Sequence, residues 1–185
     1  MKNVSNIVIV GAMANNFLVY KKYEIGKSLK EENSEDIVGK ILMEAEANKC
    51  KILIPEDCLV SKSFEGMAIS KDIKSVEKDE IILDIGPKTV KIIEKIIDNS
   101  NTIMWNGPAG YFESENFALG TNAIAQKVSE NTKNKSLISV LGGGDTVSAI
   151  NKSGLDLSFT HLSTAGGAFL EYLEGKDLPG LSVLK

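Results

Sequence analysis

The sequence predicts an α/β fold: a single domain with a doubly wound parallel sheet and helices packed on both of its faces. Short apolar runs rich in β-branched residues alternate along the chain with segments of helical periodicity, which is typical of parallel strands joined by crossover helices. The runs show no polar alternation, as expected for strands buried on both faces. A length of 185 residues without a Pro/Ser-rich linker favours one domain.

Seven apolar runs are predicted strands, because each is short and bounded by turn residues or charges. They occupy residues 7–10, 52–54, 58–60, 81–85, 102–105, 137–141 and 159–162. The segment 57–80 differs from the rest of the chain, since it holds short strand-like pieces and charges but no long helical period. We expect it to form a β-rich excursion at one edge of the sheet.

Helical periods fill three of the intervals between these strands. Each has apolar residues on one face at spacings of three or four. The three stripes are Val38, Ile41, Leu42 and Ala45; Val90, Ile93 and Ile97; and Phe117, Thr121, Ile124 and Val128. We expect these faces to pack against the sheet.

Composition and charge exclude several classes of function. Lys and Arg number 21 against 25 Asp and Glu, which argues against nucleic acid as the main partner because phosphate backbones require clustered positive charge. A single histidine excludes histidine-rich metal sites. Cys50 and Cys58 are predicted to be buried free thiols, and without a disulfide framework we expect a cytoplasmic protein. No stretch approaches the ~18 apolar residues of a spanning helix, so no membrane partner is expected.

A weak internal repetition concerns the turns that follow the predicted strands. Five times a strand-like run ends in glycine or Gly-Pro and a helix-like segment follows. The stretches are IVIVGAMANNF, IILDIGPKTVKII, TIMWNGPAGYF, LISVLGGGDTVSAI and FTHLSTAGGAFLEYL. In an open parallel sheet such turns lie at the carboxyl ends of the strands, which is the edge where these sheets bind ligands.

Glycine turns at this edge predict an anion site, usually for phosphate. Helix amino termini present unpaired N–H groups and a partial positive charge, and glycine lets a bulky anion approach the backbone closely. The alternative is that the glycines only make tight βα turns. Neither the dinucleotide pattern G-x-G-x-x-G nor the Gly-Lys-Ser/Thr of a Walker A loop is present, so neither of those sites is predicted.

Four longer motifs resemble phosphoglycerate kinase, in the order in which that family has them. They are LDIGPKT at 83–89, WNGPAGYFESENFALGT at 105–121, LGGGDT at 141–146 and HLSTAGGAFLEYLEGKDLPG at 161–180. The stretches IVIVGAMANNFL and YEIGKSLKEE are similar to the same family, and the resemblance covers residues 7–181. It implies a Rossmann-like fold, ADP or ATP with Mg²⁺, and phosphoryl transfer between 1,3-bisphosphoglycerate and ADP in glycolysis.

The resemblance also implies that the chain corresponds to part of that family's architecture. It is similar to most of the carboxy-terminal, nucleotide-binding lobe, without that lobe's first strand and phosphate-binding lysine and without the amino-terminal lobe that binds phosphoglycerate. We therefore expect the isolated chain to be inactive. The expected partners are ADP or ATP, a separate amino-terminal lobe, and a second copy paired through an exposed sheet edge. A non-catalytic nucleotide-binding module and a truncated remnant are the alternatives.

The resemblance assigns a metal and phosphate site to the glycine run. Asp145 resembles the carboxylate that holds Mg²⁺ on the nucleotide phosphates, and Mg²⁺ prefers one or two carboxylates together with phosphate oxygens. Gly143, Gly144 and Thr146 would line the phosphates with backbone N–H groups at a helix start. Asn106 looks like a further polar contact to the phosphates. The alternative for Asp145 is an ordinary helix N-cap.

The same resemblance assigns the residues that would contact the nucleoside. Glu113 is similar to the residue that accepts hydrogen bonds from the ribose hydroxyls, for which a carboxylate offers two acceptor oxygens. Leu83 and Gly11 would lie against the adenine, although Leu83 could equally belong to the core. Trp105 is expected in the core rather than stacked on a base.

The candidate catalytic residues are Thr164, Gly166 and Gly167, which resemble the glycine-rich helix start that faces the transferring phosphoryl group. Phosphoryl transfer depends on positioning and preorganised donors more than on covalent help from the protein. The family's usual glycine triplet begins with Ala165 here, and a positive φ at that residue would cost strain. The turn at 10–12 is also poorer in glycine, and both departures bear on how tightly nucleotide binds.

Overall fold

The computed structural model describes residues 3–183 of the chain. In chain order the strands are β1 (Asn6–Val8), β2 (Lys51–Leu53), β3 (Asp57–Ser61), β4 (Ile69–Asp72), β5 (Ile81–Ile85), β6 (Thr102–Asn106), β7 (Ile138–Gly142) and β8 (His161–Ser163). The helices are α1 (Gly11–Tyr20), α2 (Glu35–Ala47), α3 (Pro87–Asp98), α4 (Leu119–Asn134), α5 (Gly144–Lys152), α6 (Gly166–Leu173) and α7 (Pro179–Ser182), with 3₁₀ turns at Ile73–Ser75 and Glu115–Phe117. Within this described range, no helix combines the length and apolarity needed to cross a bilayer.

The strands pair in three groups. β1 and β2 are parallel, and β6, β7 and β8 form a second parallel group with β7 in the middle. The third group is antiparallel, in the order β4-β3-β5. Helices lie between successive parallel strands along the chain, as crossover connections require. The predicted α/β class with parallel strands is confirmed.

The predicted elements agree closely with the observed ones. Each of the seven predicted strands overlaps a strand, and the three apolar stripes lie in α2, α3 and α4, except that Phe117 belongs to the 3₁₀ turn before α4. The β-rich excursion at 57–80 is confirmed, since β3 and β4 form an antiparallel pair there. β4 has no counterpart among the predictions because its residues are mostly exposed, so no apolar run marks it.

One hydrophobic cluster joins the larger parallel group to its covering helices. α3 and α4 contribute their apolar stripes, and β6 and β7 contribute Trp105 and Leu141, so the expected core position of Trp105 is confirmed. Val8 and Val10, in and just after β1, pack against the same cluster. Each fully buried aliphatic side chain stabilises the fold by about 1.5–3 kcal/mol. Side-chain packing in this cluster therefore fixes β1 relative to β6, although no hydrogen bond joins the two strands.

β1 and β6 each have one backbone edge without a strand partner among residues 3–183. Ser5 O accepts from Lys51 N–H, and Ile9 N–H donates to Leu53 O, so the odd-numbered residues of β1 face β2. The N–H and C=O groups of the even-numbered residues point the other way, because these directions alternate along a strand. Open edges of this kind can pair with a further strand.

Both cysteines are free and buried, as the sequence predicts. Cys58 lies on the central strand of the antiparallel group and is fully enclosed. Burial, reinforced by the neighbouring carboxylates of Asp57 and Glu80, raises the pKa of its thiol to about 12. The thiol therefore stays protonated at neutral pH and behaves as a small apolar side chain.

Candidate functional site

The carboxyl ends of β6, β7 and β8 meet at one level of the sheet. Asn106 at the end of β6 pairs with Gly142 on β7, and Gly142 pairs with Ser163 on β8. The turns that leave these three strands therefore begin side by side. Three of the five glycine turns share the edge that the sequence predicts.

Gly143 lies between the turns that follow β6 and β8. Its N–H donates to Ser163 O at 3.2 Å, and its Cα lies 3.1 Å from the position that a β-carbon on Gly166 would take. Its own φ is 100°, and a β-carbon there would lie 2.5 Å from Asn106 Oδ1. Gly143 therefore has neither the space nor the backbone conformation for a side chain.

The hydroxyl of Thr146 joins the turns that follow β6 and β7. It accepts from Gly107 N–H at 2.7 Å and donates to Gly142 O at 2.8 Å, and the residue is 1% exposed. Because the hydroxyl is used within the protein, only the backbone N–H of Thr146 remains for a ligand. Its side chain stabilises the arrangement of the glycine turns.

Gly144 and Asp145 form the exposed first turn of α5. A β-carbon on Gly144 would meet no atom within 4 Å, so the space around it is open. The N-cap position belongs to Gly143, so the alternative that Asp145 is the N-cap is wrong. The Asp145 carboxylate makes no hydrogen bond or ion pair with any residue of the described chain. An unpaired carboxylate beside free helix N–H groups fits Mg²⁺ held jointly by protein and phosphate oxygens.

Residues 3–183 contain no site at which protein side chains alone could coordinate a metal ion. That range contains no group of three or more His, Cys, Asp or Glu side chains that could hold a metal ion. A single carboxylate such as Asp145 is typical of Mg²⁺ that keeps several waters and binds through phosphate.

The turn from β8 into α6 has Ala165 as its N-cap. Its φ is −80°, so the alanine adds no left-handed strain at this position. Its N–H donates to Ser163 Oγ at 3.2 Å. Thr164 is exposed, and a β-carbon on Gly167 would meet no atom within 4 Å. The N–H groups that begin α6 are therefore open to solvent.

The turn that follows β1 packs on the turn that follows β6. Gly11 has a φ of 62°, and its N–H donates to Ala109 O at 3.1 Å. A β-carbon on Gly11 would lie 3.0 Å from Pro108 O, so glycine permits this close approach. Four of the five predicted glycine turns are thus linked by direct contacts.

The glycine turn after β5 does not belong to this edge, and its prediction as an anion site is wrong. β5 lies in the antiparallel group, and the Asp57 carboxylate fills the start of α3. That carboxylate accepts from Lys88 N–H at 2.8 Å and from Thr89 N–H at 2.7 Å. Gly86 packs directly against it. A side chain of the protein therefore occupies the place of an external anion.

Comparison with known proteins decides the family. The family model described as phosphoglycerate kinase matches residues 1–176. The chain belongs to the phosphoglycerate kinase family. Phosphoglycerate kinases from Agrobacterium fabrum and Cereibacter sphaeroides are 45% and 46% identical to it over 186 and 183 aligned positions. The alignments cover 100% and 98% of this chain but 46% of each relative.

Solved structures of phosphoglycerate kinases share the fold of this chain. The structure from Coxiella burnetii matches with a TM-score of 0.90 and 39% identity, covering 98% of this chain and 47% of that protein. The structure from Pyrococcus horikoshii matches with a TM-score of 0.73 and 30% identity, covering 97% of this chain and 45% of that protein. The chain thus spans about half the length of the phosphoglycerate kinases that it matches.

Glu113, which the phosphoglycerate kinase resemblance assigns to ribose, lies on the segment 107–118 between β6 and α4. The sequence predicts a helix-like segment directly after β6. That prediction is wrong, because α4 begins only at Leu119. Glu113 is exposed, and its carbonyl oxygen accepts from Lys152 Nζ at 2.6 Å. Next to this segment lies a cavity of about 210 Å³, lined by Phe112, Glu115, Ala118, Asn122, Ala149 and Lys152. Its size suits part of a small ligand.

Leu83, assigned by the resemblance to adenine, does not reach the open edge. The residue is 5% exposed and packs with Leu59 and Phe117 in a small core cluster. Its carbonyl oxygen accepts from Tyr111 N–H at 2.6 Å. The structure therefore favours the core alternative, in which Leu83 supports the segment that carries Glu113.

Two residues that support the site have no counterpart among the sequence predictions. Lys152 contacts Glu113 across 39 positions of the chain, and no local pattern announces such a pairing. Asp84 is buried within β5, under the segment that carries Glu113. The sequence could have indicated this residue, because Asp84 lies inside the apolar run IILDI. A charged side chain in a buried strand is rare and usually has a specific partner.

Proposed function

We propose that the chain, residues 1–185, corresponds to most of the nucleotide-binding lobe of a phosphoglycerate kinase and takes ADP or ATP with Mg²⁺ at the carboxyl edge of β6, β7 and β8. The observation that carries the proposal is the meeting of Asn106, Gly143 and Gly166 at that edge, where α5 and α6 begin. Free N–H groups at a helix start bind phosphate, and backbone without side chains lets phosphate come close. Tight turns alone would not require both helix starts to remain open.

The phosphates would lie against the first turn of α5. The backbone N–H groups of Gly144 and Thr146 and the Asn106 amide are the donors available there. The N–H of Gly143 already donates to Ser163 O, so Gly143 would line the phosphates only as backbone without a side chain. Asp145 would hold Mg²⁺, since its carboxylate is exposed and unpaired within the described chain. When bound, Mg²⁺ neutralises phosphate charge and takes most of its remaining ligands from phosphate and water.

The nucleoside would extend from this edge toward the segment 107–118. The Glu113 carboxylate offers two acceptor oxygens to the ribose hydroxyls. Gly11, packed on Pro108 and Ala109, provides flat backbone for the adenine. Leu83 contributes from the core by holding Tyr111 in place.

The transferring phosphoryl group would face the start of α6. Thr164, Gly166 and Gly167 provide a hydroxyl and open backbone N–H groups there. Such preorganised donors stabilise charge on the equatorial oxygens of a phosphoryl group in transfer. The reaction would be the family's transfer between 1,3-bisphosphoglycerate and ADP, in a cytoplasmic glycolytic setting.

We propose that the chain by itself binds nucleotide without catalysing this transfer. The bisphosphoglycerate carries anionic groups that need a cationic site in line with the nucleotide. The chain contains 21 lysines and no arginine. Lysine lacks the planar fork with which arginine binds an anionic group through two hydrogen bonds. Several of these lysines are engaged in ion pairs, such as Lys62 with Asp79 and Lys88 with Glu56. A separate amino-terminal lobe would supply the missing site.

A coupled assay of phosphoglycerate kinase turnover tests this proposal. We expect no turnover from the chain alone and measurable turnover when a separately made amino-terminal lobe of a phosphoglycerate kinase is added. The matched control is Asp145→Asn, which keeps the size of the side chain but removes its charge and is expected to abolish the restored rate. Substantial activity from the lone chain, lost in the control, would contradict the proposal.

A further inference from the structure

Asp84 is a buried carboxylate near the carboxyl end of β5. The residue is 2% exposed. Its Oδ2 accepts from Gly120 N–H at 2.8 Å, and its Oδ1 accepts from Ile85 N–H at 2.8 Å. No lysine or histidine of residues 3–183 forms an ion pair with it. A buried carboxylate held only by backbone N–H groups is costly to keep, which calls for an explanation beyond packing.

Two glycines close around this carboxylate from opposite ends of one segment. A β-carbon on Gly110 would collide with the Asp84 carboxyl group and with Leu83 O. A β-carbon on Gly120 would lie 2.5 Å from Asp84 Oδ1. Gly110 and Gly120 flank the stretch that carries Glu113. The carboxyl group of Asp84 therefore touches both ends of that stretch at once.

Neighbouring contacts hold the same two ends. Tyr111 N–H donates to Leu83 O at 2.6 Å, and Ala109 N–H donates to Thr121 Oγ1 at 2.9 Å. Inside the stretch, Lys152 Nζ donates to Glu113 O at 2.6 Å and Phe117 is buried, whereas the Glu113 side chain is exposed. The position of Glu113 therefore depends on how the two ends are fixed, together with the contacts of Lys152 and Phe117.

We propose that Asp84 is a positioning residue for nucleotide binding, whose buried carboxylate fixes both ends of the 110–120 segment and thereby holds Glu113 toward the ribose. The proposal rests on the function proposed above for Glu113. Gly120 N–H donates to Oδ2 at one end of the segment, and Gly110 packs against the carboxyl group at the other end. Ile85 N–H, within β5, donates to Oδ1 and fixes the orientation of the group, so a carboxylate with two acceptor oxygens suits this position better than an amide with one. The glycines at both ends are required because any β-carbon would displace the carboxyl group.

The test compares binding of Mg-ADP with binding of Mg-2′,3′-dideoxy-ADP, which lacks both ribose hydroxyls. For the unaltered chain we expect ADP to bind about tenfold more tightly, the size of a hydrogen bond to a charged group. Asp84→Asn preserves volume but places an amino group against Gly120 N–H or Ile85 N–H. We expect this variant to bind the dideoxy nucleotide as before and to lose the preference for ADP to within about twofold.

Two further variants separate positioning from general destabilisation. Asp57→Asn removes the charge of another buried carboxylate, which lies at the start of α3. We expect this variant to keep the full preference for ADP. Glu113→Gln is expected to reduce the preference by itself. Asp84→Asn combined with Glu113→Gln should then cause no additional loss, because both changes remove the same contact.

A pH series on the unaltered chain provides a readout that needs no variant. Burial raises the pKa of Asp84 to about 7. The titratable groups on the elements packed against β5 are Asp57 and Cys58 on β3, Tyr20 on α1, Lys127, Glu130 and Lys133 on α4, and Tyr111, Glu113 and Glu115 on the segment. None of them forms a hydrogen bond or ion pair with Asp84. Ionisation of the nucleotide phosphates affects both nucleotides alike and cancels in their ratio. We expect the preference for ADP to decline as the pH falls through 7 and to be independent of pH in Asp84→Asn.

The outcomes distinguish this inference from the proposed function. A preference for ADP in the unaltered chain that is unchanged in folded Asp84→Asn would overturn the role of Asp84 alone. If that variant does not fold, a preference that is constant from about pH 5.5 to pH 8.5 in the unaltered chain would overturn it equally. No binding of ADP, or no preference that depends on Glu113, would overturn the proposed function and the inference with it.

Discussion

Gly143 has a φ of 100°, and its backbone lies against Asn106, Ser163 and Gly166. The glycine run of the sequence raises the question of why three residues without side chains occur together. At Gly143 the answer is both conformation and space, whereas at Gly144 it is open space beside the helix start. The two glycines therefore differ: close packing requires the first, and the second leaves the start of α5 open.

Gly143→Ala is expected to disturb the site more than the small volume of the added methyl group suggests. The φ of 100° and the collision with Asn106 Oδ1 should lower the free energy of unfolding by about 1–3 kcal/mol. Displacement of Asn106 should also weaken Mg-ADP binding by at least about tenfold. Thermal unfolding and titration calorimetry measure the two effects. Gly180→Ala is the control, since its β-carbon meets no atom within 4 Å. Equal behaviour of both variants would contradict this account.

Asp84 should make the stability of the fold depend on pH. Because burial raises its pKa from 3.8 to about 7, the folded state binds a proton more readily than the unfolded state. The stabilisation is therefore complete below about pH 4 and is lost as the pH rises toward 7, by up to about 1.4 kcal/mol per pH unit. Urea unfolding at several pH values measures this slope. In Asp84→Asn the slope between pH 4 and 7 should be smaller, and an identical slope would contradict the assignment.

The first turn of α3 shows how an internal carboxylate can take the place of a ligand. Asp57→Asn would leave one of its three hydrogen bonds to Lys88 and Thr89 without an acceptor. We expect it to lower the free energy of unfolding by about 1–3 kcal/mol. Mg-ADP affinity should stay unchanged because the Asp57 carboxylate contacts Gly86, Lys88 and Thr89 and no residue of the turns after β6, β7 and β8. Calorimetric binding together with urea unfolding tests both statements, and a loss of affinity in the folded variant would contradict the separation.

The sequence predicts elements better than it predicts which of their ends are open. Apolar runs and helical stripes locate the strands and helices because burial imposes their periodicity. The turn at Gly86 looks like the turn at Gly143 in sequence, and only the fold shows that Asp57, from another strand, fills it. The role of Leu83 is hidden for the same reason. Contacts between residues distant in sequence decide both cases, and local patterns do not contain them.

At the scale of the whole molecule, the edges of β1 and β6 that have no strand partner within residues 3–183 are places where a further strand can pair. Val8 N–H points away from β2, so Val8→Pro removes a donor from the open edge without breaking a bond to β2. We expect the unaltered chain to associate as its concentration rises and Val8→Pro to associate less. Light scattering measures this, with Val8→Ala as the control that keeps the donor. A clean monomer of the unaltered chain at high concentration would contradict the prediction.

The central claim is that the edge formed by β6, β7 and β8 binds Mg-ADP. Titration calorimetry of Mg-ADP into the unaltered chain and into Asp145→Asn tests it most directly. We expect saturable binding with a Kd between about 1 μM and 1 mM, weakened at least about tenfold by the substitution or by removal of Mg²⁺. Absence of binding at millimolar nucleotide, or equal affinity in Asp145→Asn, would contradict the claim.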